Sequence, residues 1–126
     1  MISATDTRTI RLAYPKEPNW YASLSDVIVE ATSALAAAAR TAPQTSLILV
    51  LHGQPDTPIP AHIRLSAKEA LRSLVHTSVL EEPTLRVNLL IAPTSDGPDL
   101  QLTLEYLSGP NGEFVQGATI DLGEAA

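Results

Sequence analysis

The chain has 126 residues and no cysteine, with a net charge of −6 and 44% hydrophobic residues. That length fits one domain, residues 1–126, large enough to bury a core. The acidic balance argues against a nucleic-acid groove or an anionic membrane surface, and the lack of cysteine excludes disulfides and thiolate metal sites.

In chain order, residues 9–14 are a short strand candidate ended by Pro15. Residues 15–20 read as a loop. Helical spacing starts near Ser23 and runs to about Ala42, with Leu24, Val27, Ile28, Ala31 and Leu35 on one stripe and Pro43 as the stop. Trp20 and Tyr21 stand where they would staple this helix to the body. Ala34 and residues 36–39 form a smooth patch suited to close helix approach. Residues 47–51 are uniformly apolar, as in a buried strand, and His52-Gly53 closes it. The proline-rich residues 54–60 predict an extended loop.

The centre of the chain is residues 66–93. Ala70, Leu71, Leu74, Val75 and Val79 fall at helical spacing over residues 66–80, and Ser66 with Glu69 fits a capping box. A turn at Glu81-Glu82-Pro83 leads into a buried strand at 85–92, stopped by Pro93. Residues 100–107 fit either a short helix or an extended segment. Residues 108–112 are a turn and 118–122 a last strand. No run looks long and apolar enough to span a bilayer, and the first residues lack the charge pattern of a signal peptide. With the missing cysteine, this points to a cytoplasmic location.

This alternation predicts an α/β fold with about four mostly parallel strands and two long helices. Both long helices are expected on one face of the sheet, because parallel crossovers are right-handed and the strand order runs one way.

Three motifs carry a resemblance: Ala67-Lys68-Glu69-Ala70-Leu71, then Leu85-Arg86-Val87-Asn88-Leu89-Leu90-Ile91-Ala92-Pro93, then a tail with Glu105-Tyr106-Leu107-Ser108 and Phe114 to Gly123. In these the chain resembles the short-chain dehydrogenase/reductase family. The resemblance spans the larger part of this chain but only the second half of a usual family member. It implies half of a doubly wound Rossmann-like sheet.

The family's working parts do not carry over. No Gly-rich dinucleotide turn is present, so no cofactor is expected. Lys68 holds the family Lys position, but the family Tyr position holds Arg64, and a guanidinium does not give up its proton near neutral pH. The family Ser place holds His52-Gly53, and the family Asn place falls near Ala31-Thr32. Left without partners, Lys68 is expected to cap or solvate a helix face.

The function that follows is a catalytically silent structural or regulatory subunit, paired with itself or with a full-length short-chain reductase. Ala36, Ala37, Leu71 and Val75 are the expected interface residues. The alternatives are a small-molecule binder at the carboxyl ends of the strands, lined by His52, Arg64 and Pro93, or a divergent oxidoreductase. A metal site from His52, His62 and Asp56 matches no zinc spacing. A hydrolase-type site from Ser66, His62 and Asp56 lacks a nucleophile signature. His76 is expected to be exposed on its helix.

Overall fold

The computed structural model describes residues 6–43, 45–54 and 57–123. Strands β1 (Asp6–Ala13), β2 (Thr45–His52), β3 (Arg86–Ala92) and β4 (Thr119–Asp121) form one sheet in the order β1-β2-β3-β4. All three pairings are parallel; Leu12 lies opposite Leu51, and Leu49 opposite Leu89. The helices are α1 (Trp20–Thr41), α2 (Ala61–Glu81) and α3 (Pro98–Ser108), with a short 3-10 helix at Pro110–Gly112.

Strand side chains alternate between faces, so each apolar run serves two cores. On one face Leu47, Leu49 and Leu51 of β2 and Val87, Leu89 and Ile91 of β3 pack against Val27, Ala31, Leu35 and Ala38 of α1 and Ile63, Ala67, Leu71 and Val75 of α2. On the other face Ile48, Val50, Leu90 and Ala92 pack against Leu100, Leu104 and Leu107 of α3. Double coverage explains the apolar runs Leu47–Leu51 in β2 and Leu89–Ala92 in β3. Both long helices share a face, as expected.

Strand order keeps advancing while the third helix moves to the opposite face. The β3–α3–β4 crossover therefore has the opposite hand to the two before it, against the strong right-handed preference of such units. Side chains on β3 hold this return. Asn88, buried, donates to the Val115 carbonyl at 3.0 Å and accepts from Ala118 N–H at 2.9 Å. Arg86 donates to the Gly112 carbonyl at 2.9 Å. These contacts steer the chain from the end of α3 into β4.

Several boundaries differ from expectation for local reasons. Helix α1 begins at Trp20 because Asn19 caps it, accepting from Ala22 N–H at 3.0 Å. Ser23 is used otherwise: its hydroxyl accepts from Lys16 N–H at 2.9 Å. Trp20 packs on the core, whereas Tyr21 is exposed, so only the tryptophan staples the helix. Helix α2 begins at Ala61, behind Pro60, and the capping box at Ser66 does not form. The Ser66 hydroxyl instead donates to the His62 carbonyl at 2.8 Å, inside the helix. Residues 100–107 are helical, with Pro98 in the first turn where its missing N–H costs nothing.

The expectation about membrane spans also needs correction. Helix α1 is long and apolar enough to cross a bilayer by length and composition, with a mean hydropathy of 1.3 over its most apolar window. Its sheet-facing stripe lies in the core, yet only 22% of that window is buried. Its exposed side is mixed, with Tyr21 and Val29 beside Asp26, Glu30, Ser33 and Arg40.

Candidate functional site

The residues singled out from the sequence do not converge; most of their polar groups are tied into the fold. Lys68 on α2 reaches Asp121 on β4, Nζ to Oδ2, at 3.2 Å. Its side chain is mostly buried while that of Asp121 is half-exposed. Lys68 therefore neither caps nor solvates a helix face: it ties the last strand to the second helix. Asp121 also accepts from Gly123 N–H at 2.9 Å, fixing the chain just past β4. The Arg64 guanidinium donates to the Ile59 carbonyl at 3.0 Å, bracing the loop before α2.

His52 is buried at the end of β2, with Nδ1 2.9 Å from the Gly53 carbonyl. Gly53 N–H donates to the Ala92 carbonyl at 3.3 Å, joining the carboxyl ends of β2 and β3. His62 and His76 are exposed on α2. Asp56 lies outside the described residues. Among the described residues, no three His, Asp or Glu side chains gather where a metal ion could sit.

The pocket expected from His52, Arg64 and Pro93 is divided. Pro93 lines a cleft of about 210 Å³ with Thr94, Asp96, Asp99, Leu100 and Leu122, between the end of β3 and the start of α3. His52 lines a separate hollow of about 10 Å³, beside Tyr14, Lys16 and Ile59. Arg64 lines neither. The cleft lies on the α3 side of the sheet, between the end of β3 and Leu122 just past β4, and no residue of β2 lines it. Arg11 of β1 reaches over the sheet and donates from Nε to the Ser95 carbonyl at 3.0 Å, holding the loop that walls the cleft.

The four residues expected at an interface fall on two different sides. Ala36 is exposed and Ala37 half-buried, both away from the sheet. Leu71 and Val75 are 0% and 1% exposed in the core beneath α2, so they offer nothing to a partner. Their place on the outer side of α2 is taken by Leu65 and Leu80, 59% and 68% exposed. On α1 the corresponding apolar positions are Tyr21 and Val29, 69% and 60% exposed. Sequence reasoning missed these because it took the helix α2 stripe at Leu71 and Val75 as two-sided. The stripe Ile63, Ala67, Leu71 and Val75 repeats every fourth residue and faces one way only.

No family model and no curated protein matches the chain. Among solved structures, the chain is similar to that of BdcA (YjgI) from E. coli, with a TM-score of 0.64 and 17% identity. The match covers 90% of this chain and 59% of the other. Likeness at that identity shows a shared fold and no more. The resemblance to the short-chain dehydrogenase/reductases is therefore not upheld as membership. The Arg86-Val87-Asn88 stretch that carried it has a local physical reason, since Arg86 and Asn88 hold residues 112–118 in place. What the comparisons leave standing is a Rossmann-like α/β domain with a four-stranded parallel sheet.

Proposed function

We propose that this chain is a structural or regulatory subunit, without catalysis of its own, that assembles through the outer faces of α1 and α2. The observation that carries this reading is the exposure of large apolar side chains on the outer sides of both long helices. Tyr21, Val29 and Ala36 are exposed on α1, and Leu65 and Leu80 are exposed on α2 beside it. Scattered single apolar residues on a surface need no explanation, but a face shared by two adjacent helices suits a partner. Small residues at Ser25, Thr32, Ser33 and Ala36 let a partner helix come close. The commitment of Lys68, Arg64, Arg86 and Asn88 to holding the backbone supports the non-catalytic half of the proposal.

Light scattering between ~5 and ~500 μM tests it, a range that spans the weak to moderate affinities of standard interfaces. Assembly that Ala36→Glu abolishes, with the far-ultraviolet circular dichroism of the fold unchanged, supports the reading. Assembly indifferent to Ala36→Glu, or a monomer throughout, counts against it. On the same reading, calorimetric titration with NADH or NADPH gives no saturable heat. Binding tighter than ~100 μM, about 5.5 kcal/mol, would overturn the claim of silence.

The cleft behind Pro93 favours a second reading, a binder of small molecules. Its volume of about 210 Å³ suits a ligand smaller than a drug. Its apolar walls, Leu100 and Leu122, stand beside the carboxylates of Asp96 and Asp99. Titration with benzylamine, followed at the methyl groups of Leu100 and Leu122, tests that reading; no saturable shift counts against it.

A further inference from the structure

Three asparagines occur in the chain, and two have work for their side chains. Asn19 caps α1 through Oδ1, and Asn88 makes two hydrogen bonds from a buried position. Each is also followed by a bulky residue, Trp20 and Leu89, which hinders attack on the side-chain amide. Asn111 differs in each respect. It is exposed, its amide makes no hydrogen bond among the described residues, and Gly112 follows it. A glycine leaves its own nitrogen sterically open to the side chain before it. Packing requires this glycine: a Cβ there would stand 2.5 Å from the Tyr106 carbonyl oxygen and 2.8 Å from that of Leu107. No contact among the described residues requires the asparagine.

From this pair we infer that Asn111-Gly112 is a site of spontaneous deamidation, gated by opening of the return from α3 to β4. The Gly112 nitrogen attacks Asn111 Cγ. Its proton passes through solvent to the departing side-chain nitrogen, which leaves as ammonia. Water then opens the five-membered imide at either carbonyl, giving aspartate or isoaspartate. The closed fold blocks the first step. Gly112 is buried, and its N–H donates to the Gly109 carbonyl at 3.2 Å. Asn111 lies in a 3-10 turn, whereas ring closure takes its ψ out of the helical range. Arg86 at 2.9 Å and Val115 N–H at 3.0 Å both donate to the Gly112 carbonyl, and Asn88 ties down residues 115 and 118. These contacts hold the gate shut. The isoaspartyl product routes the main chain through Cβ, lengthening it by one carbon–carbon bond of about 1.5 Å. Gly112 has no slack against α3 to take up that length. Its carbonyl moves off Arg86, and β4, three residues long, loses its anchor. Without β4, β3 becomes a free edge.

Ageing the full chain at mildly alkaline pH tests this by mass. Cleavage after glutamate releases residues 106–113, whose mass rises on conversion by the difference between an amide and an acid. An isoaspartyl methyltransferase labels the isoaspartate in that fragment. Conversion is expected at Asn111 and not at Asn19 or Asn88, and more slowly than in the same chain unfolded in urea. Asn88→Ala loosens the return and should speed conversion at least about tenfold, because a reaction of the open state tracks its population. Leu35→Ala weakens the core beneath α1 instead and should leave the rate within about threefold. Asn111→Gln should abolish conversion with the circular dichroism spectrum unchanged. In converted molecules the amides of Leu89, Gly117 and Leu122 should exchange faster than in the fresh chain. If Asn111 stays intact in the folded parent and in Asn88→Ala while the urea-unfolded chain converts, the site is overturned. Equal acceleration by Asn88→Ala and Leu35→Ala overturns the local gate. Unchanged exchange in converted molecules overturns the release of β4.

Discussion

Replacing Asn88 with Ala should loosen β4 while leaving the rest of the sheet in place. The amide of Asn88 makes both of its contacts from a buried position, donating to Val115 at 3.0 Å and serving Ala118 N–H at 2.9 Å. Truncation leaves one carbonyl and one N–H without a partner. A buried group left unsatisfied costs about 1–3 kcal/mol. Val115 and Ala118 are only half-buried, so water can reach them and the low end applies. The expected loss is about 2–3 kcal/mol, a large share of the ~5–15 kcal/mol that holds a domain of this kind together. Urea unfolding should show a lower midpoint with an unchanged slope. Hydrogen exchange should localise the effect. The amides of Leu89, Gly117 and Leu122 bridge β3 and the last segment, at 2.8, 2.7 and 2.7 Å, and should exchange faster. The amides of β2 should change only by the global loss. Asn88→Asp retains the acceptor for Ala118 but faces a carboxylate to the Val115 carbonyl, and should not rescue. A loss below about 0.5 kcal/mol, within the usual range for surface substitutions, would refute the clamp, as would exchange rising equally across β2.

Further outcomes follow from other contacts. Lys68→Met should cost about 1–2 kcal/mol in urea unfolding, less than a fully buried pair because Asp121 is half-exposed, and adding Asp121→Leu should cost less than the sum of the two. Leu71→Ala should cost about 3–4 kcal/mol in the same assay, while Leu65→Ala should stay within about 0.5 kcal/mol, since the first fills the core and the second is exposed. Gly112→Ala should cost about 2–3 kcal/mol and lower the melting temperature, because a Cβ there would stand 2.5 Å from the Tyr106 carbonyl oxygen and 2.6 Å from the Leu107 Cα, both backbone atoms.

How far the fold could be read in advance depended on the reach of each signal. The two central strands were legible because burial on both faces makes them almost wholly apolar, from Leu47 to Leu51 and from Leu89 to Ala92. The long helices were legible because each buries a single stripe against the sheet. Helix α3 was not: Leu100, Leu102 and Leu104 alternate like a strand, while Leu100, Leu104 and Leu107 repeat like a helix. Only the burial of the second set and the exposure of Leu102 decide between them. The start of α2 was hidden because Pro60 supplies no side-chain cap and the first turn is mixed in polarity. The ties that place β4 join residues far apart in sequence, such as Asn88 to Ala118 and Lys68 to Asp121, and no local spacing reports them. The same limit misplaced the interface. Ala36 was read correctly as facing outward, but Leu71 and Val75 were assigned to a side they do not reach, because periodicity gives a stripe and not its direction.

The central claim is that the outer face of the two long helices exists to be covered. Its most direct measurement is the mass of the native particle by sedimentation equilibrium, for the parent chain and for Ala36→Glu, across the micromolar range. The account predicts twice the 13.4 kDa chain mass for the parent and the single chain mass for the variant, with the same circular dichroism spectrum for both. A parent that sediments at the single chain mass up to ~500 μM, or a dimer that Ala36→Glu leaves intact, would contradict it.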